Sequence, residues 1–599
     1  MVISNLSLTC SKGGAFMEES SLKKQLDEYD DTLMQMKNVD GLLKNVKTYL
    51  GKVDAIKEWK DNPKGAYRRF LHTQSYCDFI DEDALILLGR TGTGKTSILR
   101  CICENVNQRK IDSYDMAITA QFDEILENLI DTVDDFNSPV INMQLVKIIS
   151  FYINCYVMKA LLDKGYVNKN SAIYSYIKNK HLYDLGDDRF SHSGIDRIRA
   201  MINASKNMSG KVGQVASNIT TIMDIVNAFM NNGYEEAYRE VVSVLRDNKI
   251  LVLIDTVDEY DLRDEKVVIC VKALIATCFE YYNNTSANHI YVKISIPSEI
   301  HTHLIEQLPG KQQGNTVVIQ WTNNDLIKMI AIRLLDYCNE KKSTLVKFKN
   351  QYKYEDFYDD NASSSKNAKK MLYEMLPETC PTSLEFSFDT LAYCIRHTLK
   401  KPRELMTIFN YFLAKIYEVK DFHYFIEHPS EIRNMIHSTQ EEMIASALSM
   451  YTKTYQEIKD ACEIVLQGRK YYFQGKELED KLKEAAVNRK GYDVIDIKRI
   501  LLESGLVGKI NDISQVYVKE DEDSSNKRYT LQNSIRIIKA KFEYQVKGRL
   551  SLNKTDFYVL HPMCYEHFEC RVGSQTLVYP DEFADDVEIM KTVRLKQWS

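Results

Sequence analysis

The sequence predicts an α/β core, a parallel sheet wrapped by helices, followed by a helical segment and a mixed C-terminal region. Three short, largely apolar runs lead to this prediction, at residues 84–88, 249–254 and 290–296. Runs of this length without polar alternation are typical of strands that are buried on both faces of a sheet. Stretches with helical spacing of apolar residues dominate between the first two runs, and strands alternating with helices indicate a parallel sheet.

The same patterns divide the 599 residues into four regions, since a chain of this length is too long for one hydrophobic core. Residues 1–62 contain leucines at helical spacing and predict an N-terminal helical segment. Residues 63–345 contain the buried strands, residues 346–435 are mainly helical, and residues 436–599 combine short helices with strands. Residues 358–370 are polar and serine-rich, which predicts a loop.

Composition and charge exclude several classes of protein. The net charge is −6, so the chain as a whole is not a polybasic binder of nucleic acid or membranes. No uninterrupted apolar run approaches the length needed to cross a bilayer, and we expect no membrane partner. The 13 cysteines are scattered and form no CxxC pair, which is typical of reduced thiols in a cytoplasmic protein.

A glycine-rich segment directly follows the first apolar run. The residues that we assign to a nucleotide here are Gly89, Arg90, Thr91, Gly92, Thr93, Gly94, Lys95, Thr96 and Ser97. All but the last match the pattern G-x-x-x-x-G-K-[ST] at every fixed position. Glycines permit backbone conformations that direct successive N–H groups toward phosphate oxygens, and the next helix adds the positive end of its dipole. The segment therefore predicts binding of ATP with Mg²⁺, with Lys95 on the β- and γ-phosphates and the Thr96 hydroxyl on the metal.

Acidic residues follow the second apolar run. The strand predicted at 249–254 ends in Asp255, and an acid at the end of a buried strand needs a partner, here Mg²⁺ beside Thr96. Asp258 and Glu259 lie within one further turn, where a general base that orients the attacking water is expected. Glu259 is our first choice for that base and Asp258 the second. The alternative for this pair is a solvated acidic turn.

The acidic segment consists of an apolar run, an Asp, two further residues and then Asp-Glu. This order resembles the acidic motif of the signal-transduction ATPases with numerous domains (STAND), the group that contains NACHT and NB-ARC proteins. Those proteins usually have Gly directly after the first Asp, where this chain has Thr256. Most AAA+ ATPases place the catalytic Glu directly after the Asp, so the spacing favours the STAND group. By motif, the resemblance covers roughly residues 65–430, and it implies a P-loop ATPase core with a helical lid at 346–435.

The resemblance implies two further nucleotide-sensing residues. Ser298 follows the strand predicted at 290–296, where such ATPases detect the γ-phosphate, although a plain strand-ending turn explains it equally well. Residues 400–405 (KKPREL) resemble a lid motif in which Arg403 opens a helix and reaches the γ-phosphate. The alternative for Arg403 is an ordinary charge at a helix N-terminus. We interpret Arg333, between these two sites, as a surface charge on a helix.

The C-terminal region has the pattern of a winged helix. Residues 438–509 contain helices, the last of which ends in Ser504-Gly505 before apolar residues typical of a strand. Residues 527–554 include eight Lys or Arg and one acid, Glu543, and such a local excess is compatible with a nucleic-acid contact. The solvated face of a strand is the commoner explanation of this charge pattern.

The motifs predict a nucleotide-driven switch that binds and hydrolyses Mg-ATP. Many bacterial relatives of this kind act in antiphage defence, so by analogy of fold we expect a sensor ATPase that assembles into a homo-oligomer. No nuclease, protease or TIR-like effector motif is visible in the sequence, and we therefore expect a separate effector or trigger protein as partner. Two other classes stay open: a DNA-associated ATPase of the initiator or loader type, and a nucleotide-locked scaffold with little turnover.

Overall fold

A computed structural model describes most of the chain. The described residues are 33–35, 48–52, 54–121, 139–180, 230, 233–255, 265–299, 314–341, 345–358, 362–381, 386–452, 455–488, 494–517, 534–542, 550, 552–573, 576–580 and 594–595. The chain divides into two compact units. The first unit comprises residues 59–61 and 72–320, and the second comprises residues 1–58, 62–71 and 321–599.

The strands within the described residues are numbered in chain order. They are β1 (Leu33–Gln35), β2 (Ile86–Gly89), β3 (Met116–Gln121), β4 (Ile250–Asp255), β5 (Ile290–Pro297), β6 (Thr316–Val318), β7 (Thr379–Pro381), β8 (Phe386–Asp389), β9 (Tyr472–Gln474), β10 (Val507–Tyr517), β11 (Ser534–Lys541), β12 (Phe557–Leu560), β13 (Arg571–Gly573), β14 (Thr576–Pro580) and β15 (Arg594–Leu595).

The helices are numbered in the same way. They are α1 (Ala55–Asp61), α2 (Pro63–Arg68), α3 (Gln74–Ile80), α4 (Lys95–Asn107), α5 (Pro139–Asp163), α6 (Ala172–Lys180), α7 (Tyr234–Leu245), α8 (Glu265–Asn283), α9 (Thr285–Asn288), α10 (Asn323–Lys341), α11 (Glu355–Tyr358), α12 (Ala362–Leu372), α13 (Thr390–Arg396), α14 (Pro402–Val419), α15 (Tyr424–Glu427), α16 (Glu431–Ser438), α17 (Gln440–Thr452), α18 (Ile458–Leu466), α19 (Gly475–Asn488) and α20 (Val494–Glu503). A short 3-10 helix covers Pro562–Cys564.

The first unit is built around a five-stranded parallel sheet with the strand order β3-β4-β5-β2-β6. The strands β2 and β4 are almost entirely buried, as their uniformly apolar sequences predict. Helices α4, α5 and α8 pack against the strands of this sheet. The prediction of an α/β core with a parallel sheet wrapped by helices is therefore confirmed.

Strand β3 is an element that the sequence did not indicate. It lies in a stretch where helical spacing dominates, and it forms the edge of the sheet beside β4. Ile118 and Thr119 are only half-buried. An edge strand has one neighbour instead of two, so its composition carries a weaker apolar signal than that of a central strand.

Helix α5 is long and apolar enough, by length and composition alone, to cross a membrane over Met143–Asp163. It is the one such helix within the described residues, and 72% of its apolar window is buried inside the protein. It packs along α8 and contacts β3 and β4. These contacts account for its apolar character as that of a core helix.

The second unit contains most of the remaining helices and a five-stranded sheet of its own. The strand order in that sheet is β14-β11-β10-β12-β9, with β14 parallel to β11 and the other pairs antiparallel. Helices α18, α19 and α20 precede its longest strand, β10, along the chain. The winged-helix interpretation and the predicted boundaries at residues 345 and 435 stay predictions.

The loop predicted at residues 358–370 is wrong over most of its length, because α12 begins at Ala362 and ends at Leu372. Ala368, Met371 and Leu372 are fully buried, and α12 packs on α10. Burial of this apolar stripe outweighs the low helix propensity of the three serines at the start of the helix.

Arg333 is an ion-pair residue whose side chain is only 13% exposed, so its interpretation as a surface charge is wrong. Its guanidinium donates to both carboxylate oxygens of Glu58, at 2.9 and 3.1 Å, and to the carbonyl of Leu50 at 2.9 Å. Arg69 also donates to Glu58, at 3.0 Å, and to Asp336 at 2.7 Å. The network joins α10 to Leu50, Glu58 and Arg69 of the same unit, a long-range contact that no local sequence pattern signals.

Candidate functional site

The glycine-rich loop, residues 89–96, joins the end of β2 to the start of α4 in the first unit. Gly92 and Gly94 have φ values of +86° and +97°, in the left-handed region that glycine adopts without steric cost. A Cβ atom on Gly89 would lie 2.5 Å from Thr93 Oγ1 and 2.8 Å from Ile319 Cδ1. The loop geometry therefore requires glycine at these three positions.

Two side chains of the loop bond to its own carbonyl groups. The Lys95 ammonium donates to the carbonyls of Gly89, at 2.9 Å, and Arg90, at 3.3 Å, and the side chain is only 4% exposed. Thr93 closes the turn, since its hydroxyl donates to the Arg90 carbonyl at 2.7 Å. A buried positive charge is thus held over the loop at the N-terminus of α4, where the helix dipole is also positive.

Asp255 connects the loop to the ends of two parallel strands. Its Oδ2 accepts a hydrogen bond of 2.6 Å from the Thr96 hydroxyl, and its Oδ1 accepts one of 2.6 Å from the Ser295 hydroxyl. The structure therefore brings together Thr96 and Asp255, the two residues that the sequence assigns to Mg²⁺. Carboxylate and hydroxyl oxygens are the ligands that Mg²⁺ prefers in proteins.

Ser295 is a site residue that the sequence analysis missed. It lies in β5, which is between β4 and β2 in the sheet, and its side chain is fully buried. Ile294 pairs with Ile254 in the strand register, so Ser295 lies beside Asp255 at the next position. A serine inside the largely apolar Ile290–Pro297 was the available signal, because a buried hydroxyl needs a hydrogen-bond partner.

Ser298, the predicted sensor, lies just beyond β5. Its hydroxyl is 3.4 Å from Glu299 Oε2, and its role toward a γ-phosphate stays a prediction. Glu299, which the sequence analysis did not single out, is only 7% exposed. Its Oε1 lies 3.6 Å from Arg90 Nε and 3.5 Å from the backbone nitrogen of Thr91. The hydroxyl oxygen of Thr91 is buried and has no hydrogen-bond partner within the described part of the chain.

Two of the predicted acids cannot be located here. Asp258 and Glu259 lie outside the described residues, as does Thr256, and their order as candidate bases stays a prediction. Ser97 lies in the first turn of α4 and is half-buried.

Arg403 belongs to the second unit. Helix α14 begins at Pro402, as predicted, and Arg403 follows in its first turn. Glu404 Oε2 accepts a hydrogen bond of 2.5 Å from the backbone nitrogen of Leu399, so this Glu stabilises the helix start. The Nε atom of Arg403 is buried and has no hydrogen-bond partner among the described residues. A buried donor of this kind is compatible with an anionic ligand, and the role of Arg403 toward the γ-phosphate stays a prediction.

Lys293 is a second buried lysine of the first unit, and its contacts are structural. Its ammonium donates to the carbonyls of Phe79 at 2.8 Å and Ile80 at 3.3 Å, and to that of Asp81. These carbonyls end helix α3, where the dipole is negative. Burial lowers the pKa of Lys293 to about 7, whereas the nearby Asp81 raises it.

Cys101 and His72 lie close together but do not form a nucleophilic pair. The Sγ–Nε2 distance is 3.8 Å, and burial raises the pKa of the Cys101 thiol to about 12. A thiol of that pKa is almost entirely protonated at neutral pH, so it is a poor nucleophile. All twelve cysteines in the described part of the chain are free thiols.

The basic stretch 527–554 is only partly a surface feature. Arg536 is 1% exposed and donates to the Tyr471 hydroxyl at 2.5 Å and to Thr576 Oγ1 at 3.1 Å. Lys541 and Lys554 are exposed. One of the eight positive charges is therefore inside the second unit and is not accessible to nucleic acid.

No protein-family model matches the sequence, and no curated protein is significantly similar to it.

Proposed function

We propose that this protein is a Mg²⁺-dependent ATPase that works as a nucleotide-driven switch. One observation carries the proposal: a glycine-rich loop ends in Lys95 and Thr96, and Thr96 bonds directly to Asp255 at the end of a buried parallel strand. The carboxyl ends of parallel strands are the usual place for ligands in α/β sheets. The glycine conformations, the buried lysine and the oxygen donors all fit a magnesium–nucleotide complex.

Each side chain has a defined task in this proposal. When bound, Mg²⁺ would neutralise the charge of the nucleotide phosphates. Thr96 and Asp255 would hold the metal, and Ser295 orients the Asp255 carboxylate through its second oxygen. Lys95 exchanges its hydrogen bonds to the loop carbonyls for hydrogen bonds to phosphate oxygens. Glu259, our first choice, or Asp258, our second, orients the attacking water.

The wider role is also part of the proposal, by resemblance alone. The protein is a STAND- or AAA+-type ATPase of the cytoplasm, in which Arg403 of a helical lid and Ser298 sense the γ-phosphate. It assembles into a homo-oligomer and acts with a separate effector or trigger protein in bacterial antiphage defence. Contact of its C-terminal winged-helix region with nucleic acid through residues 527–554 is the less favoured explanation of their charge, and the solvated face of a strand is the commoner one.

The variant Lys95→Ala tests the nucleotide site directly. It removes the positive charge that the Lys95 side chain places against the phosphates, and we expect MgATP affinity to fall roughly a hundredfold. The matched control is Lys110→Ala, an exposed lysine of the same unit, which should bind like the wild type. Isothermal titration calorimetry with MgATP measures both. Wild-type affinity in Lys95→Ala would remove the proposed site, and binding without turnover would favour the nucleotide-locked scaffold.

A further inference from the structure

Glu299 lies two residues beyond the end of β5, and its carboxylate lies against the glycine-rich loop. Its Oε1 faces two nitrogen donors of the loop, Arg90 Nε at 3.6 Å and the Thr91 backbone N–H at 3.5 Å. Both distances exceed the 2.7–3.2 Å of ordinary N–H···O hydrogen bonds, so the carboxylate is attracted by these donors without bonding strongly to them. A phosphate oxygen that approaches the same donors at normal distance would bind them more strongly.

The strand order places Glu299 near the proposed metal ligands. β5 lies between β4, which ends in Asp255, and β2, which leads into the loop. Ser295 on β5 bonds to Asp255, and Glu299 follows β5 by two residues. A metal held by Asp255 would neutralise the charge of the terminal phosphates, so we expect the terminal phosphate at this edge of the sheet.

We propose that Glu299 is a specificity-determining residue that distinguishes nucleoside triphosphates from diphosphates. Its carboxylate competes with the terminal phosphate for Arg90 and the Thr91 N–H, and it repels that phosphate. Triphosphate binding therefore requires that Arg90 transfer from Glu299 to the γ-phosphate. This inference rests on the proposed function, because it needs a nucleotide in the loop.

The isosteric variant Glu299→Gln tests the competition by removing the charge while keeping the shape. We expect the affinity for Mg-AMP-PNP to rise on the order of tenfold and the affinity for MgADP to change by less than about twofold. Glu299→Asp, which draws the carboxylate back from the loop, should raise the ratio of Mg-AMP-PNP affinity to MgADP affinity by a smaller factor. Calorimetric titration of the full chain with each nucleotide gives the ratio.

Two comparisons make the test specific. Glu104→Gln removes one carboxylate from α4, nine residues or about 13 Å beyond the helix start at Lys95. It should leave the ratio of Mg-AMP-PNP affinity to MgADP affinity unchanged. In Arg90→Gln, the addition of Glu299→Gln should raise the affinity for Mg-AMP-PNP by a smaller factor than in the wild type, because one of the two donors for which the carboxylate competes is gone. An unchanged ratio in Glu299→Gln, or the same change in Glu104→Gln, overturns the role of Glu299 alone. A wild type that binds neither nucleotide overturns the proposed function instead.

Discussion

At the scale of single residues, the site depends on how one carboxylate is held. Each oxygen of Asp255 accepts a hydrogen bond from a hydroxyl group, Thr96 on one side and Ser295 on the other. The second contact leaves the carboxylate little freedom to rotate, so the oxygen that faces the loop is fixed in place. Groups that orient a metal ligand in this way commonly contribute ten- to a hundredfold in metal affinity.

Ser295→Ala removes that second contact. We expect the Mg²⁺ concentration needed for half-maximal nucleotide binding to rise about tenfold, while the free energy of unfolding falls by about 1 kcal/mol. Titrating Mg²⁺ at fixed nucleotide, together with urea unfolding, gives the two quantities. Thr277→Val is the control, because Thr277 is also fully buried and its hydroxyl donates only to a helix carbonyl, that of Ala273. An equal change in Mg²⁺ dependence in both variants would contradict the role of Ser295.

At the scale of elements, β5 carries much of the site on alternate positions. Ile290, Val292, Ile294 and Ile296 form one apolar face, the polar residues Lys293 and Ser295 lie on the other face, and Glu299 lies two residues beyond the end of the strand. Lys293 caps the end of α3, Ser295 orients Asp255, and Glu299 approaches the glycine-rich loop. One central strand thus links the preceding helix, the proposed metal ligands and the loop.

The glycine-rich loop is an element in which neighbouring side chains leave no space for a Cβ atom at Gly89. In Gly89→Ala, the new methyl group meets Thr93 Oγ1 at 2.5 Å and Lys95 Cγ at 3.2 Å. We expect the loop to shift and MgATP affinity to fall by more than about tenfold, since the N–H groups and Lys95 then lose their alignment. Gly314→Ala, where an added Cβ has no atom within 4 Å, should bind normally. Calorimetry measures the MgATP affinity of both variants, and equal affinities in Gly89→Ala and Gly314→Ala would argue against a rigid loop.

At the scale of the whole molecule, the described residues include three buried histidines in the second unit. Burial lowers the pKa of His397, His437 and His561, and for His561 the pKa falls to about 3. The positive charge of Arg396 lowers the pKa of all three further. In the unfolded chain these groups have ordinary pKa values near 6.5, so between about pH 6.5 and 3 the unfolded state binds more protons. The second unit should therefore lose stability as the pH falls through this range.

His561→Asn tests that pH dependence. The imidazole Nδ1 accepts a hydrogen bond of 3.2 Å from the backbone nitrogen of Met563, and an Asn side chain can accept the same bond without titrating. Amide hydrogen exchange of residues 557–564, measured at about pH 7 and about pH 5 and corrected for intrinsic exchange, should show a smaller loss of protection than in the wild type. His428→Asn, at an exposed position, should retain the full wild-type dependence. Identical pH dependence in all three proteins would refute this account.

Arg403 is the residue through which we expect the second unit to respond to the nucleotide. If it senses the γ-phosphate, Arg403→Ala should weaken ATP-analogue binding roughly ten- to a hundredfold and leave ADP binding nearly unchanged. Its buried Nε, which has no hydrogen-bond partner within the described residues, is the observation that motivates the test. Calorimetry with both nucleotides decides it, because a plain helix charge would affect both equally or neither.

The local sequence determined those features that depend on neighbouring residues. The loop pattern, the apolar runs of β2, β4 and β5, and the helix start at Pro402 are each encoded within about ten residues, because backbone conformation and strand burial follow local periodicity. The pairing of Thr96 with Asp255 was also predictable, since a loop of this pattern needs an acid at the end of a neighbouring strand.

Only the tertiary structure decided which other side chains share the site. Thr96 and Asp255 are separated by 159 residues, Ser295 and Asp255 by 40, and Thr91 and Glu299 by 208. Strand register brings these groups together, and register depends on the packing of the whole sheet. The same reason explains the edge strand β3 and the ion-paired Arg333, because distant segments form the environments of both. A residue's chemistry can be read from the sequence, but its partners depend on how the chain folds back on itself.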